Sequence, residues 1–410
     1  MEEIEALFMK ILVLNCGSSS LKYKLFEMKG NDVLAQGQAD RIGMSDALFR
    51  HDVRGRETFV NDTPLRNHYD AVHALLVLLV SGKRGILTDM GEIGGVGHRV
   101  VHGGEHFRTS VAVNPAIRET LEATKKLAPL HNPPNLMGID VCTELMPGVP
   151  QVAVFDTAFH QTLPDYAYTY AIPYRYYTDD HVRRYGFHGI SHRYVAYRTA
   201  ELLQKNIEKL KIIICHLGAG SSLCAVASGK SLDTSMGFTP LSGLVMGTRC
   251  GDIDPALVSF LANKENISVS AVVDMLNRES GVLGISGVSS DFRDLEDAAA
   301  DGNKKAKLAL AVFAYSVARG IGSLIPAIGG LDCLVFTAGV GEHSPRMRRR
   351  ICAFLCWLGI ELAKDKNIDG AFEGEISVPG TKVKVLVVPT NEEKMIAGET
   401  RAVLQNLIKQ

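Results

Sequence analysis

The sequence predicts an α/β protein built from two related half-domains. Two stretches share one pattern, an apolar strand, a Gly/Ser turn and a second strand: Lys10–Lys24 (KILVLNCGSSSLKYK) and Lys211–Ser228 (KIIICHLGAGSSLCAVAS). The two copies lie about 200 residues apart, which is too far for a solenoid repeat. The chain of 410 residues is also long enough for two domains that each bury a core. We therefore expect two half-domains that each present a hairpin to a shared cleft.

The first hairpin has the composition of a phosphate-binding turn. The apolar run Ile11–Leu14 ends on Asn15–Ser20, and beyond it apolar and lysine residues alternate with the period of a strand. A Gly/Ser turn presents backbone N–H groups and hydroxyls with little side-chain bulk. It is not a Walker A loop, which opens a helix. An ordinary tight turn is the alternative, and the second copy of the pattern favours phosphate binding.

The composition is that of a soluble globular protein. Lys and Arg number 44 against 45 Asp and Glu, and this balance argues against a nucleic-acid or anionic-membrane partner. The eight cysteines are scattered without C-x-x-C pairs, which favours reduced thiols in a cytoplasmic protein. Residues 1–8 form an extension without the basic start of a signal peptide. The apolar run Ala74–Val80 is far shorter than the roughly 20 residues of a membrane span.

Several elements follow in the amino-terminal half. Asp32–Phe59 is predicted to continue the sheet, and Tyr69–Val80 to form a buried helix. Pro115–Leu127 is predicted to be a helix, because Asn114 suits its N-cap and proline suits the first helical position. Leu130–Asn135 (LHNPPN) is expected to be a rigid proline loop.

Two charged residues of this half stand at strand ends. Arg99 follows a predicted strand and precedes a glycine loop, so it is either an ordinary surface residue or a cleft residue. Asp156 follows the predicted strand Val152–Phe155, and the carboxyl end of a buried strand is a common place for a catalytic or metal-positioning group. An N-cap role for Asp156 is the alternative.

His188 and His192 have the i, i+4 spacing of two zinc ligands on a helix. Glycines around His188 place it before the helix, however, and the glutamate of H-E-x-x-H is absent. A histidine on a glycine loop is better suited to donate a hydrogen bond to an anion.

The remaining chain alternates loops, helices and strands. Ser235–Pro255 is irregular, as functional loops often are. The later elements are predicted as a buried helix Ala306–Leu324, a strand Leu334–Thr337, a glycine turn Ala338–His343, a helix from Arg346 that carries Trp357, and a last strand Val383–Val388 before a closing helix.

Ten motifs, in this order, resemble those of the acetokinase family over nearly the whole chain from Met9. They are LVLNCGSSSLKY, GHRVVHGGE, LHNPPN, FDTAFH, YGFHGISH, CHLGAGSSL, MGTRCGDIDP, SGVSSDFRDL, FTAGVGEHSP and PTNEEKMIA. The resemblance implies the fold of the actin, sugar-kinase and Hsp70-type ATPase superfamily, α/β with two ribonuclease-H-like domains and an interdomain cleft. Residues 1–160 with 394–410 would carry the first hairpin and the acyl-substrate side, and residues 161–393 the second hairpin and the nucleotide side.

The resemblance also implies a role for each matching residue. The expected metal ligands are Asn15 and Glu392, for Mg²⁺, with Mn²⁺ as the alternative. The expected catalytic residues are Arg99, Asp156, His188 and Arg249. The expected substrate-binding residues are Arg99, Val101, Leu130, His131, Phe187 and Pro240. The expected ATP-binding residues are Lys22, His216, Leu217, Gly218, Ala219, Gly220, Asp291, Phe292, Arg293, Gly339, Val340, Gly341, Glu342 and His343.

The implied reaction is the reversible, Mg²⁺-dependent, in-line transfer of the ATP γ-phosphoryl group to acetate, which gives acetyl phosphate and ADP and links acetate to acetyl-CoA metabolism. A carboxylate with a pKa of about 4.3 is already ionised at neutral pH and needs no general base. We therefore expect Asp156 to orient Arg99, Arg249 or the metal. Two residues depart from the family pattern, Ala219 where asparagine is common in LGNGSS and His343 where asparagine is common. Both lie on the nucleotide side.

Three alternatives remain. A kinase for propionate or butyrate is the nearest, because one methylene changes preference by only about 1–3 kcal/mol, and Val101 favours acetate. A non-catalytic ATP-dependent switch would not need Arg99, His188 and Arg249 together. A zinc hydrolase would need further ligands. A homodimer is implied by the resemblance, and no nucleic acid or membrane partner is expected.

Overall fold

The computed structural model describes residues 10–30, 32–61, 64–129, 131–370 and 373–409. It divides into two compact units: unit 1 is Met1–Phe159 with Asn391–Gln410, and unit 2 is His160–Thr390. The chain returns to unit 1 three residues before the position expected from sequence. The reason is that the Asn391 side chain caps the C-terminal helix Glu392–Ile408 by accepting the Lys394 N–H, so cap and helix stay together.

Unit 1 contains an eight-stranded sheet in the order β5-β4-β3-β2-β1-β6-β8-β7. Its strands are β1 (Lys10–Cys16), β2 (Ser20–Glu27), β3 (Asp32–Asp40), β4 (Leu48–Val53), β5 (Phe59–Asn61), β6 (Gly95–Val100), β7 (Val111–Ala112) and β8 (Gln151–Phe155). Strand β1 is antiparallel to β2 and parallel to β6, which is parallel to β8. The first Gly/Ser turn therefore joins two paired strands, with Cys16 opposite Leu21, as predicted.

The helices of unit 1 are α1 (His68–Val80), α2 (Pro115–Ala123), α3 (Asn132–Leu145) and the C-terminal helix. Glycines in β6 allow the C-terminal helix to lie close to the sheet. A Cβ atom on Gly95 would collide with Leu404, and one on Gly97 would collide with Thr400. This close approach brings the first turn of the C-terminal helix to the edge of the sheet where β6 ends.

Unit 2 contains a six-stranded sheet in the order β11-β10-β9-β12-β14-β13. Its strands are β9 (Lys211–Leu217), β10 (Ser221–Ala227), β11 (Lys230–Thr234), β12 (Cys333–Thr337), β13 (Gly374–Glu375) and β14 (Lys384–Val387). Strands β9, β10 and β11 are antiparallel, while β9, β12 and β14 are parallel. The five strands β3-β2-β1-β6-β8 of unit 1 have the same order and directions, so the two units share one sheet topology.

The helices of unit 2 are α4 (Asp165–Tyr168), α5 (Arg175–Asp180), α6 (Gly189–Leu202), α7 (Ala256–Glu265), α8 (Val269–Arg278), α9 (Gly281–Ser286), α10 (Phe292–Ala300), α11 (Lys304–Ile328), α12 (Ala338–His343) and α13 (Pro345–Ala353). By length and mean hydropathy (1.7), α11 could cross a membrane, and it is the one such helix in the described ranges. Its buried side chains, among them Phe313, Val317 and Ile321, belong to the core of unit 2, as in the core helix of a globular domain.

Most predicted elements are confirmed within a few residues, including α1, α2 with its Asn114 cap, β8 and α11. Three local predictions were wrong. The proline segment is the first turn of α3, where Pro133 and Pro134 need no amide partner. The Gly-rich segment after β12 is the helix α12, not a turn. Trp357 lies in a short 3₁₀ turn, Cys356–Leu358, because α13 ends at Ala353.

Candidate active site

In unit 1, three polar residues lie at the carboxyl ends of neighbouring parallel strands. Asn15 is in β1, Arg99 in β6, and Asp156 directly follows β8. Parallel strands place such residues at one edge of the sheet. The Arg99 guanidinium donates to both carboxylate oxygens of Asp156, with Nε–Oδ1 at 3.2 Å and Nη2–Oδ2 at 2.6 Å. Its Nη1 lies 3.4 Å from Asn15 Oδ1. The Asp156 side chain is only 2% exposed, so this pair is largely removed from water.

Glu392, at the start of the C-terminal helix, joins this group. Its Oε2 lies 3.9 Å from Arg99 Nε. The pKa of the Glu392 carboxyl is raised to about 7, mainly because the group is buried. The positive charge of Arg99 lowers this pKa, and the negative charge of Asp156 raises it. Burial lowers the pKa of Arg99, but the charges of Asp156 and Glu392 outweigh burial and raise it above its ordinary value. Two carboxyl groups therefore face one guanidinium.

The unit 1 cluster has the donor set that Mg²⁺ prefers. The oxygens of Asn15, Asp156 and Glu392 are hard ligands, and Mg²⁺ is typically held by one or two carboxylates together with water and substrate phosphates. No group of three or more His, Cys, Asp or Glu side chains suited to a metal occurs in the part of the chain that the structure describes. A metal at Glu392 would therefore take further ligands from water and substrate.

In unit 2, candidate catalytic residues gather at the turn of the second hairpin. Strands β9 and β10 are joined by Gly218–Gly220, and His188 stands next to this turn in the left-handed conformation, with φ of 57°. A Cβ atom placed on Gly220 would lie 3.5 Å from His188 Nε2 and 3.3 Å from Arg249 Nη1. Glycine therefore leaves a small space into which the imidazole edge and the guanidinium both point. A strained non-glycine residue beside such a space is typical of a functional site.

Arg249 is a half-buried cation that lacks a carboxylate partner among the described residues. Its Nη1 has only weak contacts, 3.5 Å from the Pro240 carbonyl oxygen and 3.8 Å from Met246 Sδ. Burial alone lowers the pKa of Arg249. A desolvated cation costs free energy unless an anion compensates for it. The side chain is therefore placed to receive a negatively charged group.

A cluster of four histidines surrounds the second hairpin, and sequence reasoning missed it. His188 stacks on His216 with ring centroids 4.1 Å apart, and His160 and His192 lie edge to face at 5.7 Å. The Ser222 hydroxyl lies between His188 Nδ1 at 2.9 Å and His192 Nε2 at 2.7 Å. The sequence signal for Ser222 was its place at the start of β10, directly after the Gly/Ser turn.

Beside the second hairpin, unit 2 contains a cavity of about 810 Å³. It lies at the carboxyl ends of β9 and β12, where ligands bind in open α/β sheets. Its lining combines backbone from the hairpin with polar and charged side chains: Gly218, Ala219, Ser290, Asp291, Phe292, Arg293, Glu296, Gly339, Val340, His343, Ser344, Pro345, Arg346 and Asp369. The cavity is large enough for a nucleotide.

A profile of the Acetokinase family matches residues 10–398. The chain belongs to the acetokinase family.

The chain is similar to several relatives over almost their full length. It is 56% identical to the acetate kinase of Thermoanaerobacter pseudethanolicus over 400 residues, which are 97% of this chain and 100% of the relative. The crystal structure of Porphyromonas gingivalis acetate kinase matches with a TM-score of 0.92 at 46% identity, covering 96% of this chain and 99% of that one. A Francisella tularensis propionate kinase matches with a TM-score of 0.90 at 41% identity, covering 97% and 100%. These neighbours confirm the predicted α/β class and the duplicated actin-like ATPase fold.

In this structure, several of the candidate ATP-binding residues also have contacts within the protein. Glu342 does not line the cavity, because its Oε1 accepts from the backbone N–H of Ala338 at 2.7 Å and of Thr390 at 3.1 Å. It thereby holds Ala338, whose φ is 63°. Gly341 is also absent from the lining, and the Leu217 side chain packs in the core of unit 2. Lys22 is exposed on β2, with its backbone opposite Asn15.

The candidates for acyl-substrate binding belong to both units. In unit 1, Val101 is buried and its N–H donates to Asn135 Oδ1 at 3.0 Å, whereas His131 is exposed. In unit 2, Phe187 is buried and Pro240 is half-buried. Leu130 lies outside the described residues.

Proposed function

We propose that the protein catalyses the reversible, Mg²⁺-dependent transfer of the γ-phosphoryl group of ATP to acetate. The observation that carries this proposal is the convergence of His188 Nε2 and the unpaired Arg249 guanidinium at Gly220, next to a nucleotide-sized cavity. Phosphoryl transfer needs charge neutralisation and alignment more than covalent chemistry. A cation and an imidazole edge that are directed to one point at the end of a Gly/Ser hairpin can supply both.

The carboxylate acceptor agrees with the geometry of unit 1. Asp156 occupies Nε and Nη2 of Arg99 and fixes the plane of the guanidinium, while Nη1 has only the long contact with Asn15. We assign Nη1 to the acetate carboxylate. One acetate oxygen then forms a bond to the γ-phosphorus as the bond from phosphorus to the β,γ-bridging oxygen breaks, and ADP leaves with that electron pair. Acetate is ionised at neutral pH, so no residue has to remove a proton from it.

We assign the metal to Asn15 and Glu392, as the family resemblance implies. The position of the Asp156 and Glu392 carboxyl groups beside one guanidinium supports this assignment. When bound, Mg²⁺ neutralises the charge of the phosphates.

We place the enzyme in the cytoplasm, in agreement with the free thiols of all eight cysteines.

The test is acyl-phosphate formation trapped with hydroxylamine, with acetate, propionate and butyrate as acceptors and ATP or pyrophosphate as donor. We expect turnover with ATP and the highest kcat/KM on acetate. The preference should be modest, because one methylene is worth about 1–3 kcal/mol. Turnover only with a longer acid would contradict the acetate assignment. The absence of acyl phosphate from folded protein that binds ATP would favour the ATP-dependent switch.

Gly339 offers a specific test of the nucleotide site. It is exposed in α12 and lines the cavity, and a Cβ atom there would meet no atom within 4 Å. We expect Gly339→Leu to fold normally, fill part of the cavity and raise the KM for MgATP at least about tenfold, which corresponds to about 1.4 kcal/mol.

Gly322→Leu is the matched control, because Gly322 also has no atom within 4 Å of an added Cβ but lies in α11, away from the cavity lining. Both variants should keep the melting temperature, since leucine is a better helix former than glycine. Equal ATP affinity of the two variants, measured by calorimetry, would place the nucleotide elsewhere.

We also propose that a second copy of the chain covers an exposed apolar face of unit 2. Helix α7 buries none of its residues. Five apolar side chains on α7, on α8 and on the segment between these helices are exposed to solvent: Leu257, Phe260, Ile267, Val269 and Val273. Apolar surface of this kind marks protein–protein contacts. We expect sedimentation velocity to show a dimer of the wild-type protein, and we expect the Phe260→Glu substitution to dissociate this dimer. The control is Val77→Glu, at a similarly exposed apolar residue of α1, which should leave the dimer intact.

A further inference from the structure

The Ser222 hydroxyl connects the imidazoles of His188 and His192, at 2.9 Å from His188 Nδ1 and 2.7 Å from His192 Nε2. A hydroxyl has one proton and two lone pairs. If Ser222 accepted from both nitrogens, its buried proton would have no acceptor among the described residues, so the hydroxyl donates to one nitrogen and accepts from the other. The protonation of one ring therefore determines the protonation of the other. Either His192 donates and His188 accepts, or the reverse holds.

The environment of His192 decides between the two arrangements. The ring is fully buried, and burial lowers the pKa of His192 well below its usual value, so it has a single N–H. Its Nδ1 has no hydrogen-bond partner among the described residues. If the proton were on Nδ1, a buried N–H donor would be unsatisfied, which is rarer than an unsatisfied buried acceptor. The proton on Nε2 instead donates to Ser222.

We propose that His192 and Ser222 are positioning residues that hold His188 as the neutral tautomer protonated on Nε2. His192 Nε2–H donates to Ser222, the Ser222 hydroxyl donates to His188 Nδ1, and the only N–H of His188 is then on the edge that points to Gly220. Stacking on His216 fixes the plane of the His188 ring. This inference rests on the proposed function in one respect, that the acceptor of the Nε2–H is the transferring phosphoryl group.

The first test is the tautomeric state of the wild-type enzyme, measured by NMR on ¹⁵N-histidine-labelled protein at neutral pH. Signals are assigned from the His188→Gln and His192→Gln spectra. We expect both rings to be protonated on Nε2 and unprotonated on Nδ1. A proton on Nδ1 of either ring, alone or in a doubly protonated imidazolium, would overturn the proposal. This measurement needs no turnover, so it separates the tautomer assignment from the proposed function.

The second test is kinetic. Removal of a transition-state hydrogen-bond donor typically lowers kcat about 10²–10³-fold, and loss of its orientation should lower kcat somewhat less. We expect Ser222→Ala to reduce kcat about 10–100-fold, to change both KM values by less than about threefold, and to give a mixture of His188 tautomers in the NMR spectrum.

Ser231→Ala is the matched control. Ser231 is also a buried serine bonded to a histidine of the same cluster, at 2.8 Å from His160 Nδ1, but it does not contact His188. We expect this variant to keep kcat within about threefold of wild type. Equal loss of kcat in the two variants, or full activity of Ser222→Ala, would overturn the proposal. If the tautomers are as expected but wild-type enzyme forms no acyl phosphate, the proposed function fails and the tautomer assignment stands.

Discussion

Replacement of Arg249 with methionine is expected to lower kcat about 10³–10⁵-fold while the protein remains at least as stable as the wild type. The loss of activity follows from the loss of a cation at the transferring phosphoryl group, by analogy with an arginine finger. The stability follows from the environment of the side chain. Burial lowers the pKa of Arg249, and no carboxylate of the described residues compensates for it. An apolar side chain of similar length removes a desolvated charge.

Arg348 is a second arginine of unit 2 for which the same substitution should have the opposite effect on stability. It is also a buried arginine whose pKa is lowered by burial, but its guanidinium donates to Asn367 Oδ1 and to the carbonyl oxygens of Gly341, Glu342 and Ile368, each at 2.8 Å. Arg348→Met should destabilise the protein by several kcal/mol, because each buried acceptor left without a donor costs about 1–3 kcal/mol. Thermal unfolding and saturation kinetics of both variants test the comparison. A similar fall in melting temperature for Arg249→Met, with activity retained, would assign Arg249 a structural role.

Replacement of Asp156 with asparagine is expected to lower kcat/KM for acetate about 10²–10³-fold and the free energy of unfolding by about 3–5 kcal/mol. The structure shows a two-point contact with Arg99 in which Asp156 is almost fully buried. The asparagine amide can accept at only one of these points, and its NH₂ group faces the guanidinium. Arg99 then loses both its charge partner and its fixed plane.

Asp140→Asn is the matched control for Asp156→Asn. Arg118 contacts Asp140 with the same two-point geometry, at 2.7 Å for both bonds, but this pair is on the surface of the same unit. An exposed ion pair contributes about 0–1 kcal/mol, so little change is expected in stability or rate.

The dependence of rate on pH separates an orienting role of Asp156 from a general-base role. If Asp156 orients Arg99, the fractional loss of activity should be the same at every pH at which both proteins are folded. If it accepts a proton, the variant should lose an ionisation that controls the rate. Disappearance of such an ionisation would refute the orienting role.

The sequence by itself determined the local geometry and the family. Apolar strands on either side of Gly/Ser segments predicted the hairpins β1–β2 and β9–β10, because alternation and turn composition act over a few neighbouring residues. Asn114 before Pro115 predicted a capped helix for the same reason. The prolines after His131 led to a wrong prediction of a loop, because proline is favoured both in loops and in the first turn of a helix. The residues that follow the prolines decide between a loop and a helix.

Only the tertiary structure decided which side chains meet. Arg99 and Asp156 are 57 residues apart in sequence, and His188 and Ser222 are 34 apart. No local pattern encodes their hydrogen bonds, because these depend on the order of strands in the sheet. The hydrogen bond that the Glu342 carboxylate accepts from the N–H of Thr390, 48 residues away, depends on the packing of the chain in the same way. The lowered pKa of Arg249 results from burial, and burial is a property of the packed chain.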